Sequence, residues 1–424
     1  MSVDITRLSD GVDGIFIRNA RFNTTLISFN FYMPLDKDKV AQYALLPFVM
    51  TTCSNKYPDF TKLNYKLDKL YGAKLEASAE KVGDLQLLKM TVSVIDDKYT
   101  LDGEELCAQA CELLMSLIFE PKAEDGAFFE EDLKREKRKA IEHIRGEMNE
   151  KRIYAKKRLI EEMYKNNPYG VSKCGTEKQV SEITGKSLYK AWRELISSAY
   201  VRVNVIGNSL PVGLFESITE RFSDIKRENI TDCFNITPTR KAVKVKEITE
   251  NMDISQGKLV MGFSSRMYGD DIKTAPMLVM CDIFGGGPYS RLFTNVREKM
   301  SLCYYCLASA VRVKGLITVD SGVEKQNADK AKEEILKQLE AVKKGEFSDF
   351  EFESSIKSIT DSLKTYDDSQ SSLDLWYSLR ISSEKTVSPQ EMSELVSKVE
   401  RKQITDVANG VFLHTVYRLM PEGA

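Results

Sequence analysis

The sequence predicts an α+β protein of two homologous domains, each an antiparallel β-sheet with helices packed on one face. Three observations carry that expectation. Segments such as TTLISFNFYMP and GKLVMGFSS alternate apolar and polar residues with period two, as a sheet with one covered face requires. The segments between such strands have helical spacing, and nothing resembles the run of strands of a doubly wound parallel sheet. The outline of the first half also recurs in the second, down to a closing strand, YVRVNVIGN in one and VFLHTVYRLMP in the other.

Taken in order, Ile27, Phe29, Phe31 and Met33 share one face of a half-buried strand, with Ser28, Asn30 and Tyr32 on the other. After a turn at Pro34, VAQYALLPFVMTTC is spaced as a helix burying Ala41, Ala44, Leu45, Phe48 and Val49, and Pro47 predicts a kink or a late start. A second helix carries Leu63, Leu67 and Leu70 on one stripe and stops at Gly72. Leu88, Met90, Val92 and Val94 then line a strand, and a helix over 102–118 opens with an Asp102/Glu105 capping box. Residues 125–165 form a long charged helical region in which Glu130 with Lys134, Glu131 with Arg135 and Glu147 with Lys151 are favourable pairs. A helix over 187–198 leads into the strand VRVNVIGN.

The stretch 229–240 is polar, holds Pro238 and lacks a period, so it is assigned as the linker between domains 1–228 and 241–424. In the second domain Leu259, Met261 and Phe263 face one way on a strand. A helix over 274–284 ends at Gly285-Gly286-Gly287, and an amphipathic helix with Leu292, Val296 and Met300 leads to a strand entered at Ser301. A helix with Ala331, Ile335, Leu339 and Val342 in register stops at Gly345, and Ser348 with Glu351 caps the next.

Composition narrows the function. The formal net charge is -2 and the acidic and basic residues interleave, so neither nucleic acid nor a membrane surface is an expected partner. The opening MSVDITRLSDG has no basic or apolar leader region and no apolar run approaches about 18 residues, so the expected location is cytoplasmic. The eight cysteines are scattered. Cys107 and Cys111 lie at i, i+4 on a helix; Cys303 and Cys306 lie at i, i+3 on a strand, on opposite faces; both pairs read as buried reduced thiols without a redox role. The two histidines, His143 and His414, have no metal-binding spacing, and no GxSxG or Walker motif occurs.

The stretch SRLFTNVREKMSLCYY resembles the second-domain motif of the pitrilysin/insulinase zinc-peptidase family, in which an arginine and a tyrosine seven positions on reach a zinc site built by another domain. Arg297 and Tyr304 match that pair in type and spacing. GTEKQVSEIT and VNVIGN are similar to first-domain signatures of the family, so the likeness spans nearly the whole chain. LDKLYGA resembles in particular the non-catalytic members of Gram-positive bacteria associated with aminopentanol modification of elongation factor P. The resemblance implies the insulinase or mitochondrial-processing-peptidase fold, a pair of related α+β domains.

It also implies a departure. Where the family carries HxxEH, this chain has Leu45, Phe48 and Val49, and His143 falls at or beside the third-ligand position. Leucine, phenylalanine and valine have no lone pairs for a metal and cannot take a proton from water. No metal or other cofactor is therefore expected in this chain. The resemblance implies a division of labour: a zinc-bearing homologous subunit supplies the metal, this chain supplies Arg297 and Tyr304, and a peptide or unfolded protein is the substrate. Two other readings stand beside it: a scaffold that holds a peptide or a modification enzyme without cleaving it, and a metal site built from Glu142, His143 and Glu147. In the plainest alternative for the pair itself, Arg297 makes a helix-end salt bridge to Asp282 or Glu298 and Tyr304 is core.

Overall fold

Strands form where β-branched and aromatic residues alternate, and two sheets of matching order result. The computed structural model describes residues 2–235, 237–269, 271–383 and 386–422. Contacts divide the chain into two units, one of Met1–Arg145, Val171–Cys233 and Ser369–Leu379, the other of Gly146–Gly170, Phe234–Asp368 and Arg380–Ala424. The changeover at Cys233 falls within the stretch assigned as linker, but each unit also takes a helix from the other's stretch of sequence.

The first half runs β1 (Ser2–Ser9), β2 (Val12–Arg18), β3 (Thr24–Pro34), α1 (Val40–Met50), α2 (Phe60–Lys69), β4 (Lys74–Val82), β5 (Leu85–Ile95), α3 (Leu106–Phe119) and a small hairpin, β6 (Ala123–Glu124) with β7 (Ala127–Phe128). It continues with α4 (Glu130–Asn149), α5 (Lys151–Met163, part of the second unit), α6 (Glu177–Glu182), α7 (Gly185–Ser198), β8 (Tyr200–Gly207) and α8 (Leu214–Ser223). The second half runs β9 (Lys246–Met252), β10 (Gly257–Ser265), α9 (Asp271–Gly285), a π-helical segment (Leu292–Lys299), β11 (Cys303–Val311) and β12 (Leu316–Val323). It ends with α10 (Ala328–Lys343), α11 (Asp349–Lys364), α12 (Gln370–Ser378, part of the first unit), α13 (Pro389–Ser397), α14 (Arg401–Asn409) and β13 (Val411–Pro421).

The first sheet has the order β1-β2-β8-β3-β5-β4 and the second β11-β12-β10-β13-β9. Apart from β1, the two match strand for strand, so the internal repeat is a repeat of topology. Each sheet is antiparallel except for one parallel pair, β2 with β8 and β9 with β13, whose strands are joined through a long crossover.

Ile27, Phe29, Phe31 and Met33 pack with Leu88, Met90, Val92 and Val94 beneath α1, α3 and α7, as the alternation predicts. The opposite face of β3 is not solvated: Ser28 and Asn30 are fully buried, because α12 lies over them. Ser28 Oγ and Asn204 Nδ2 donate to Asp374 Oδ1 at 2.6 and 2.7 Å, and the same carboxylate pairs with Lys89. In the second unit α5 does the equivalent work, with Ala155 and Leu159 against Val260, Tyr417 and Leu419, and Arg152 and Lys156 at 2.8 and 2.7 Å from the buried Asp320. Each sheet thus has the helices expected on one face and one further helix on the other. Gly262 lets α5 lie close here, since a Cβ would sit 2.8 Å from Met163 Sδ and oblige that side chain to shift.

Local signals mostly hold. The Ser348/Glu351 capping box forms, and Gly72 and Gly345 adopt left-handed φ of 75° and 77° at helix ends. The Asp102/Glu105 box does not form: α3 begins at Leu106, and Asp97 instead accepts from the Cys107 N–H at 2.9 Å, satisfying one of the helix's orphan donors. The charged region is two helices, broken at Glu150, whose side chain caps α5.

His414 lies on β13, its pKa lowered by burial and then by Lys246. A histidine depressed in the fold favours the neutral form, so its contribution to stability is present above the unfolded value of about 6.5 and is lost as pH falls through it. His414→Gln is expected to flatten the loss of thermal stability of the second unit between about pH 7 and 5; an unchanged slope removes His414 from the acid response.

Candidate functional site

Two places carry the residues singled out by sequence. In the first unit, α1 presents Leu45 and Phe48 to a cavity of about 410 Å³, which β4 closes with Ala79 and α4 with Glu136, Lys139 and His143. Leu45 and Val49 are each 2% exposed, as expected of the helix's apolar face. Phe48 is not: at 38% exposed it lines the cavity. The helix tolerates Pro47 in its last turn and begins at Val40, without the late start. The charges at the rim are paired internally. Glu136 accepts from Arg135 and Lys139 at 2.9 and 3.0 Å, and Lys173 reaches Glu80 at 2.8 Å.

The donor set does not fit a catalytic zinc. On α1 the cavity offers only aliphatic and aromatic carbon, and of the groups that could bind a metal elsewhere in its lining, His143, Cys174, Glu80 and Glu136, the two carboxylates are already paired with cations. Among the described residues no group of three or more His, Cys, Asp and Glu side chains is placed to hold a metal ion, which leaves Glu142, His143 and Glu147 without a shared site. Adding histidine back is expected to be costly rather than restorative: Leu45→His puts an imidazole at a 2% exposed position, at roughly 1–3 kcal/mol for an unsatisfied polar group, and a metal-binding titration of that variant is expected to stay flat.

In the second unit, α9 ends at Gly285, where it approaches β11 closely: a Cβ on Gly285 would lie 2.7 Å from the Ala308 nitrogen, and one on Gly286 would strike Asp282. These glycines serve close packing, not a left-handed turn. Asp282 is engaged by Tyr289, whose hydroxyl donates to it at 2.7 Å. The segment that follows winds as a π-helix, with the Met300 N–H donating to Asn295 O, five residues back. Leu292 and Val296 are buried as the spacing predicts, but the wider winding leaves Met300 48% exposed.

Arg297 rides on this segment with its guanidinium 4.6 Å from the Phe293 ring and 3.4 Å from Glu298, its side chain 41% exposed. The Glu298 contact is one of the two named for the salt-bridge alternative. Tyr304 is not core. It is 57% exposed and donates to Glu324 Oε1 at 3.2 Å. It occupies a bulge, for β11 pairs Cys303 with Val323 and Tyr305 with Gly322, leaving Tyr304 without a partner in the ladder.

The bulge also overturns the expectation for the cysteines. Strict alternation separates positions three apart, but the extra residue resets the phase: Cys303 and Cys306 stand opposite Val323 and Ser321, so both side chains lie on one side of the strand. Their environments are unequal. Its neighbour Cys306, and then Arg297, lower the Cys303 thiol against burial, while Cys303 and burial raise Cys306. The CYYC spacing is the signal a plain strand reading suppresses. Cys107 and Cys111 are buried in α3 as expected, each pushed up to about 12 by burial.

Comparison with known proteins places these features. A model described as the peptidase M16 inactive domain matches residues 182–359. The chain is 31% identical over 339 residues to a Bacillus subtilis protein named probable inactive metalloprotease YmfF, covering 80% of this chain and 79% of that one. It is 21% identical to the uncharacterized zinc protease YmxG of the same organism, covering 76% and 79%. Among solved structures, a conserved protein from Enterococcus faecalis superposes with a TM-score of 0.90 at 25% identity, covering 99% of both chains. A protease from Helicobacter pylori shares the fold at a TM-score of 0.80 and 14% identity, again over 99% of both chains.

Proposed function

Because the chain belongs to the M16 peptidase family, as an inactive homologue of its metalloproteases, we propose that it is the partner subunit of a heteromeric peptidase. The zinc and the general base sit in a homologous chain, and this chain contributes Arg297 and Tyr304 to cleavage of a peptide or unfolded protein. The observation that supports this reading most is the presentation of Tyr304: a phenol 57% exposed, unpaired in the ladder of an edge strand, seven residues on from an arginine whose side chain is 41% exposed. An exposed phenol can donate to the oxygen that gains charge as an acyl carbon becomes tetrahedral, and a guanidinium can hold a neighbouring carbonyl. The cavity at Leu45 and Phe48 supplies none of the remaining chemistry.

The test is reconstitution with a homologue that retains HxxEH. The two chains are expected to co-purify, and only the mixture to cleave peptide. Arg297→Ala in this chain is expected to reduce kcat/KM of the mixture while leaving assembly intact. Two chains that neither associate nor cleave together remove the reading.

A second reading, a peptide-binding protein that does not cleave, draws on a different observation. The cavity opens beside β4, an edge strand that pairs only with β5 among the described residues. An extended peptide adding to such an edge would find an apolar pocket for one side chain. Phe48→Ala is then expected to weaken peptide binding by the isolated chain several-fold, with no cleavage product; equal binding by both proteins counts against it.

A further inference from the structure

The cysteine pair at the bulge supports an inference independent of any partner subunit. We propose that Cys303 and Cys306 form a dithiol site for low-molecular-weight disulfides such as oxidised glutathione, and that its closure to an intrachain disulfide draws Tyr304 out of its present position.

The geometry has three parts. The bulge puts residues 303 and 306 on one side of β11, opposite Val323 and Ser321 of β12. That side faces α9, where Gly285 meets Ala308, whereas Tyr305 turns the other way and stacks with Arg152 of α5 at 4.6 Å. β11 is also an edge strand, hydrogen-bonded to β12 alone among the described residues, so its path can change without breaking a second ladder. Finally, Tyr304 is one of the two residues inside the loop that the disulfide would close.

The roles follow from the unequal environments. Cys303, 8% exposed and the lowered thiol of the pair, is the attacking sulfur; Cys306, 1% exposed and raised, is the resolving one. The Cys303 thiolate attacks one sulfur of the oxidant, breaking its S–S bond and releasing one thiolate that takes up the Cys303 proton. Cys306 then attacks the Cys303 sulfur of the mixed disulfide, releases the second small thiolate and gives up its own proton to it. Two protein thiols are oxidised to one disulfide, and one small disulfide is reduced to two thiols.

Closure has a consequence for the strand. Because the bulge absorbs one residue, Cys303 and Cys306 stand opposite positions only two apart on β12, a span of about 6.6 Å, at the upper end of the about 4.4–6.8 Å between bridged Cα atoms. Closure toward the commonest spacing of about 5.5–6 Å tightens the bulge, and the residue it carries is Tyr304.

The test uses the full native chain in oxidised glutathione, read by intact mass, peptide mapping and hydrogen exchange. Expected are a mass lower by two hydrogens, a bridge mapped to Cys303 and Cys306, faster exchange at Tyr304 and its neighbours, and reversal by dithiothreitol. Cys306→Ser is expected to stop at one glutathionyl group on Cys303, and Cys303→Ser to react far more slowly. Cys107 and Cys111, neighbours in a rigid helix, should stay reduced and act as the internal control. All eight cysteines remaining reduced, a bridge between any other pair, or a bridge that leaves exchange around Tyr304 unaltered would overturn the proposal.

Discussion

Replacing Asp374 with alanine is expected to destabilise the first unit by about 3–5 kcal/mol, the usual loss when one member of a buried ion pair is removed. The carboxylate is 1% exposed and is the acceptor on which α12 is hung. It pairs with Lys89 of β5 and takes hydrogen bonds from Ser28 of β3 and Asn204 of β8. The helix has further anchors, since Gln370 Nε2 donates to the Thr24 and Ile206 carbonyls at 2.8 Å each, and the Tyr32 hydroxyl donates to the Ser378 carbonyl at 2.8 Å. None of these can neutralise Lys89. Asp374→Ala leaves that ammonium in a site where its residue is 9% exposed, together with two hydroxyl or amide donors that have lost their acceptor.

The cost should lie in the stranded charge, and that gives the measurement its control. Lys89→Met with Asp374→Leu removes both charges and is expected to recover most of the loss. In a thermal melt the single variant should lower the transition of the first unit by roughly 6–20 °C, at about 2–4 °C per kcal/mol for a domain of this size. A shift below the equivalent of about 1 kcal/mol, or a double variant as unstable as the single one, would mean that α12 is held by packing and not by this network.

That network is the part of the fold least legible in sequence. The alternation in β3 names its two faces correctly, and Ile27 to Met33 fill the core as their period requires. Ser28 and Asn30 look like a solvated face because their partner stands 346 residues away, and no periodicity links them to it. The exchange of α5 and α12 between units is invisible for the same reason. At the candidate site, the inability of Leu45, Phe48 and Val49 to bind a metal or take a proton is fully legible, because it follows from their composition. The positions of Arg297 and Tyr304 are only half legible. Leu292 and Val296 are four apart and fit an α-helix as well as a π-helix, so the winding that leaves Met300 exposed is hidden. One unpaired residue at Tyr304 then reverses the facing of everything before it on the strand, which a period-two reading cannot register.

Tyr304→Phe is expected to lower kcat of the reconstituted mixture by about 10²–10³-fold, or roughly 2.7–4 kcal/mol, with little change in KM. The substitution deletes one oxygen and keeps the ring, so an effect on folding is not anticipated: the hydroxyl's one hydrogen bond, at 3.2 Å to Glu324, lies at the surface. The size of the loss reports when the bond is made. A hydroxyl that held substrate and transition state equally would raise KM and spare kcat, whereas one that meets only the developing oxyanion lowers kcat. Glu324→Gln provides the complementary arm. The carboxylate engages the phenol in the resting chain, and freeing the phenol from it should leave kcat unchanged or raise it slightly. If the carboxylate instead holds the ring in its working position, kcat should fall with the tyrosine intact. Full activity of Tyr304→Phe in a mixture that assembles normally would leave the exposed phenol without a catalytic role and return the chain to a peptide-binding or scaffolding one.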